Sequence, residues 1–200
     1  MAEDHVADFE VEEIEEPPPL DPEVAERRRQ ALAQVRQYGD PVLRATALPV
    51  EVFDDELRTE VTRMGALMND SLGIGLAATQ VGILHRLLVY RVEQDAPVNA
   101  LVNPVIEFSS DAREWAEEGC LSLPAVHVEV ERPVFVRVRA KDEHGDDVVV
   151  EASGLEARVI QHEVDHLDGV LILDRTTRDQ RKQAMRALRD ALAAPEARVA

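Results

Sequence analysis

The 200-residue chain has one cysteine, Cys120, so it can close no disulfide within itself. A reducing, cytoplasmic setting is therefore expected. No apolar run approaches the roughly 18 residues that a membrane span requires, so no membrane association is expected. The first 26 residues contain no Lys or Arg and no apolar core. They resemble neither a secretory signal nor an Arg-rich transit peptide. Basic residues are scarce overall, 22 against 40 acids, for a net charge of −18. A chain this acidic is a poor generic binder of DNA, because phosphate contacts need clustered Lys and Arg.

The acid that is present is unevenly placed. Eleven of the acids fall in residues 1–26, which leaves −7 for the other 174 residues. Residues 1–22, closing on Pro17, Pro18 and Pro19, read as a solvated, disordered acidic tail. Residues 23–193 read as a single domain, and 194–200 as a short C-terminal tail. A short helix is expected over 22–37, with Pro22 at its first turn. Leu57, Val61, Met64, Leu67 and Met68 repeat at helical spacing over 54–69, behind Asp54 and Asp55. Beyond Gly82 the chain changes to short β-branched segments, of which VFVRVRA alternates cleanly. KDEHGDD joins that segment to VVVEA as a hairpin, with Gly145 at the turn. Helical spacing returns over 154–167 and again over roughly 177–193. Helix, antiparallel strands, helix, helix is an α+β order.

Three segments carry chemistry. In His162-Glu163-Val164-Asp165-His166, two histidines at i and i+4 share one helical face and can reach one metal. Leu155, Val159, His162 and His166 form a stripe, so the histidines extend an otherwise apolar, buried face. Glu163 lies one position round, placed to take a proton from a water beside the metal without being a ligand. Two hydrogen-bonded histidines on a core helix would show the same pattern. A third ligand is not found downstream. Where HExxHxxGxxH would place a histidine stands Ile172, and the last helix offers Asp179 and Asp190 but no Glu before Glu196. Upstream, Cys120 sits in Glu117-Glu118-Gly119-Cys120-Leu121-Ser122. A lone cysteine is often a small core residue, but Cys-His-His plus water is a four-coordinate site with one open position. The third segment is Gly73-Ile74-Gly75-Leu76-Ala77-Ala78-Thr79-Gln80. Ala78 replaces the third glycine of a dinucleotide loop, and a helix precedes it rather than a strand. It reads either as a glycine turn on the core or as a strand edge that binds an extended peptide, with Gln80 offering its amide.

GIGLAATQ, EGCLS and QHEVDH, in that order, resemble the three motifs of the peptide deformylases. YGDPVLR near the start and Val102-Asn103-Pro104 extend the likeness over roughly residues 34–190. The resemblance implies antiparallel sheets packed around a central HExxH helix, flanked by an N-terminal and a C-terminal helix. It implies hydrolytic removal of the formyl group from N-formyl-methionyl nascent peptides, with release of formate. It implies one divalent metal on Cys120, His162 and His166: Fe(II) in the cell, with Zn(II), Ni(II) or Co(II) able to replace it in purified protein. Glu163 would be the general acid/base, and Gln80 with the Leu121 N–H would form the oxyanion hole. Ile74, Gly75 and Gly119 would line the substrate cleft, and Leu155 and Val159 the methionine pocket. Arg158 stands where the family often has an apolar residue. Six basic residues against three acids over 174–190 read either as a solvated face or, by resemblance to the family's C-terminal helix in some bacteria, as a docking surface for the ribosome.

Overall fold

The computed structural model describes residues 20–193. The expected acidic tail and the short C-terminal tail lie outside the described residues, apart from 20–22. The elements run α1 (Pro22–Leu32), α2 (Asp55–Asp70), β1 (Gly75–Ala77), β2 (Leu87–Tyr90), β3 (Asn99–Ser109), β4 (Arg113–Cys120), β5 (Leu123–Pro133), β6 (Phe135–Lys141), β7 (Asp147–Ser153), α3 (Gly154–Leu167), α4 (Ile172–Arg175) and α5 (Arg178–Ala193). One antiparallel sheet has the order β1-β2-β3-β6-β7, and β4-β5 form a separate pair. This is the expected α+β architecture.

Local chemistry sets most boundaries. The Asp21 carboxylate accepts from the Glu23 N–H at 2.8 Å and caps α1, with Pro22 in the first turn. Asp54 accepts from the N–H groups of Glu56 and Leu57 at 3.1 and 3.0 Å and caps α2, whose Met64 and Met68 are fully buried. In β6 the alternation holds: Val136, Val138 and Ala140 point into the core, while Arg137 and Arg139 are exposed. Gly145 turns the β6–β7 hairpin at φ +92°, where a side chain would strain the backbone.

α3 is the centre of the molecule. Ala157, Ile160 and Leu167 pack with Val136, Val138 and Ala152 of the five-stranded sheet. A second cluster joins α2 to β2, and a third joins β5 to α4 and α5. Each fully buried Leu or Ile contributes about 1.5–3 kcal/mol relative to exposure. Glu163, Asp165 and His166 are buried on the same helix. Charged groups rarely enter such a core unless they are paired or ligate something.

Two expectations need correction, and one strand was not expected. α1 ends at Leu32 rather than near 37, because the Arg36 N–H bonds to the Gln80 carbonyl at 2.7 Å and the Tyr38 N–H to the Ser122 carbonyl at 2.9 Å. These long-range bonds replace the next helical turn. Leu155 is 55% exposed, so the apolar stripe of α3 is not buried along its length; its first residue opens into a cleft. Arg113–Cys120 is a strand that the acid-rich sequence conceals, held by eight registered partners on β5.

Candidate metal centre

His162 and His166 lie one turn apart on α3, with their ring centroids 4.9 Å apart and their Nε2 atoms 3.2 Å apart. Cys120 ends β4, where the register with β5 shifts between Gly119 and Cys120. Its Sγ stands 3.2 Å from His166 Nε2. The three ligand atoms fall within 4.8 Å of one another, and no other such group exists among the described residues.

A buried ionic network orients this set. Glu118 Oε2 lies 3.0 Å from His162 Nδ1. The same carboxylate accepts from Arg132 Nε and Nη2 at 2.6 and 2.9 Å and from Arg158 Nη1 at 2.8 Å. Arg132 also donates to Asp165 at 2.8 Å, and Arg175 closes on Asp165 from α4. Burial alone would raise the Glu118 carboxyl, but hydrogen bonds from Arg132 and His162 outweigh it and hold it well below the usual carboxylate range. An ionised Glu118 only accepts, so His162 Nδ1 carries the hydrogen, and Nε2 is the atom directed at Cys120 and His166. Arg158, which stands where the family often has an apolar residue, is 13% exposed and tied to Glu118, to the Val130 carbonyl at 2.9 Å and to the Glu114 carbonyl at 2.8 Å.

The donor set fits a soft-to-borderline divalent cation. Burial works against a proton on His162, yet the hydrogen bonds it donates to Cys120 and Glu118 outweigh it and draw the imidazole up to about 10. Burial, and then the neighbouring His162, push His166 well below its ordinary 6.5. The cluster thus stabilises one positive charge at the point of convergence, and a metal would compete with a proton for it.

Glu163 is 4% exposed and its Oε2 has no protein hydrogen-bond partner. Burial raises its carboxyl to about 7, against the pull of His162 and Arg132. A carboxyl held there can both accept and return a proton near neutrality. Its Oε1 lies 2.4 Å from where a Cβ on Gly75 would stand, so only glycine admits it. Gln80 is oriented by the Ala77 N–H, which donates to its Oε1 at 2.9 Å and leaves Nε2 facing Ser122 Oγ at 3.3 Å and Cys120 Sγ at 3.8 Å. Leu121 follows Cys120 in the β4–β5 turn, with its carbonyl accepting from Gln37 at 3.3 Å.

A cleft of about 830 Å³ collects ten of the eleven site residues expected from sequence: Ile74, Gly75, Gln80, Gly119, Cys120, Leu121, Leu155, Val159, His162 and Glu163. The eleventh, His166, is buried behind them. Sequence reasoning assigned no role to Glu118, Arg132 or Asp165. The available signal was Arg132 itself, a charge at the inward phase of a strand whose other inward residues are Val126, Val128 and Val130. Glu118→Ala is expected to weaken metal binding about 10–100-fold, as loss of an outer-shell partner of a ligating histidine does. It should also destabilise the fold, by up to about 3–5 kcal/mol, because buried Arg132 loses two of its acceptors and keeps only Asp165. Chelator competition and thermal unfolding measure the two effects separately.

The polypeptide deformylase family model matches residues 32–182. The peptide deformylase of Parafrankia sp. is 44% identical over 161 residues, 80% of this chain and 87% of its own. That of Acidothermus cellulolyticus is 45% identical over the same share of this chain and 88% of its own. Among solved structures, a peptide deformylase from Synechococcus elongatus in complex with actinonin superposes with a TM-score of 0.75 at 44% identity, covering 82% of this chain and 89% of that one. Peptide deformylase 1B of Arabidopsis thaliana gives 0.75 at 38% identity over 78% and 88%.

Proposed function

The chain belongs to the polypeptide deformylase family and is a metal-dependent hydrolase that removes the N-formyl group from nascent peptides; from that premise we propose how its residues divide the work. Cys120, His162 and His166 hold the metal. When bound, a divalent ion there acidifies water and draws electron density from the formyl carbonyl. Glu163 takes the proton of the attacking water and passes it to the leaving amine nitrogen, so that formate and a free N-terminus depart. The oxyanion that develops on the formyl group is held by Gln80 Nε2 and the Leu121 N–H. Ile74 and Gly75 on the β1 side and Gly119 on β4 offer backbone to an extended peptide, and Leu155 with Val159 cover the methionine side chain.

The observation that carries this reading is the convergence of Cys120, His162 and His166 beside a buried Glu163 whose proton affinity is near neutral. The ion proposed for the cell is Fe(II), which with the Cys120 thiolate makes the site oxygen-sensitive. Zn(II), Ni(II) or Co(II) suits the same donors in purified protein. An anaerobic formate-release assay on formyl-Met-Ala-Ser, paired with metal analysis, tests the assignment. No formate from the Fe(II)- or Ni(II)-loaded protein would sink it.

The setting proposed is the bacterial cytoplasm, at the ribosome. α5 buries Ala184 and Leu188 against β5, and among the described residues its exposed Arg178, Lys182, Arg186 and Arg189 have no acidic partner. Such a face suits phosphate contacts. Removal of residues 177–200 is expected to lower cosedimentation with ribosomes, and equal binding by both forms would exclude α5 as the docking element.

A further inference from the structure

α1 lies almost wholly before residue 32, where the family match begins, yet it lines the substrate cleft. Arg28, Arg29 and Leu32 share one helical face, at i, i+1 and i+4, and all three border the cleft. The three arginines on the cleft differ in how they are used. Arg29 is held by Glu26 on its own helix, with Nε donating at 2.8 Å. Arg158 is held by Glu118 and two carbonyls. Arg28 has no ion pair among the described residues, and its Nε is buried without a hydrogen-bond partner. Arg28 is half-buried and borders the cleft, so its positive charge is open to a carboxylate that enters there.

The position of Arg28 indicates what that carboxylate belongs to. The reacting end of the cleft is marked by Cys120, His162 and Glu163, and α1 reaches the cleft from the segment whose Arg36 N–H bonds Gln80. A peptide fixed at its formyl end extends about 3.3 Å per residue, so the residues after the methionine occupy the rest of the cleft, part of whose wall is α1. We propose that α1 is an added wall of the substrate cleft and that Arg28 is a specificity-determining residue, favouring nascent peptides with an acidic side chain two or three places after the formyl-methionine. This rests on the deformylase reading of the cleft. Arg28 touches no reacting atom; it acts on substrate choice alone.

Formyl-Met-Ala-Xaa-Ala and formyl-Met-Ala-Ala-Xaa, with Xaa Asp or Lys, test this in the metal-loaded full chain. The readout is the Asp-to-Lys ratio of kcat/KM within each protein, so a uniform loss of activity leaves it unmoved. The native chain is expected to prefer Asp by roughly fivefold at one of the two positions, the scale of a partly exposed ion pair, and less so in high salt. Arg28→Ala should bring the ratio near one, and Arg28→Glu should invert it. A ratio that is the same in all three proteins overturns the proposal. So does a preference seen only after residues 1–20 are removed, since the chain's own acids would then be the partner of Arg28. Absence of formate from every peptide would instead refute the deformylase reading itself.

Discussion

Glu163→Gln is expected to lower kcat for formate release by about 10³-fold while metal content stays at the native level. The substitution preserves shape and burial but leaves nothing at that position able to accept a proton from water and return it to the leaving nitrogen. Metal should be retained because the converging ligand atoms belong to Cys120, His162 and His166 alone. Single-turnover formate release, with metal measured on the same sample, checks both halves. Gly75→Ala is the companion test. Its Cβ would stand 2.4 Å from Glu163 Oε1, so the carboxyl must move. Displacement of this kind in a positioned group costs about 10²-fold. Native turnover in either variant would remove Glu163 from the role assigned to it.

Replacing a ligand acts on an earlier step. Cys120→Ala or His166→Ala is expected to lower metal affinity by roughly 10²–10³-fold, about a quarter of the binding free energy of a four-ligand site. Formate release should fall to background in step with metal content. Anaerobic dialysis against a chelator should do the same to the native chain, with activity returning on addition of Fe(II) or Ni(II). The contrast with Glu118→Ala is informative. There all three ligands remain and only the orientation of His162 is lost, so raising the metal concentration should rescue that variant and not the ligand variants. Turnover by metal-free Cys120→Ala would overturn the metal assignment.

Much of the site was legible because its patterns are local. Two histidines four apart share a face in any α-helix, the alternation of VFVRVRA fits only a half-buried strand, and Gly145 marks its own turn. The motif triple also carried Cys120 as the proposed third ligand, which periodicity could not have paired with histidines 42 and 46 positions away. What was not legible depends on register. Arg113–Cys120 has no alternation of its own and is a strand only because β5 lies beside it. Glu118, Arg132 and Asp165 meet across separations of 14 and 33 residues, set by how β5 and α3 pack.

By itself, then, the sequence determined the kind of chemistry, the helix that bears it and the α+β order of elements, since each follows from spacing within a few turns of chain. Only the tertiary structure decided that Leu155 faces a cleft, that Glu163 is buried against Gly75 with a carboxyl near neutral, that one carboxylate orients His162, and that α1 borders the cleft with an Arg28 that has no ion pair among the described residues. The physical reason is common to all four. Burial, proton affinity and the acceptor a buried donor finds are properties of neighbours brought together by packing, and local spacing carries no information about them.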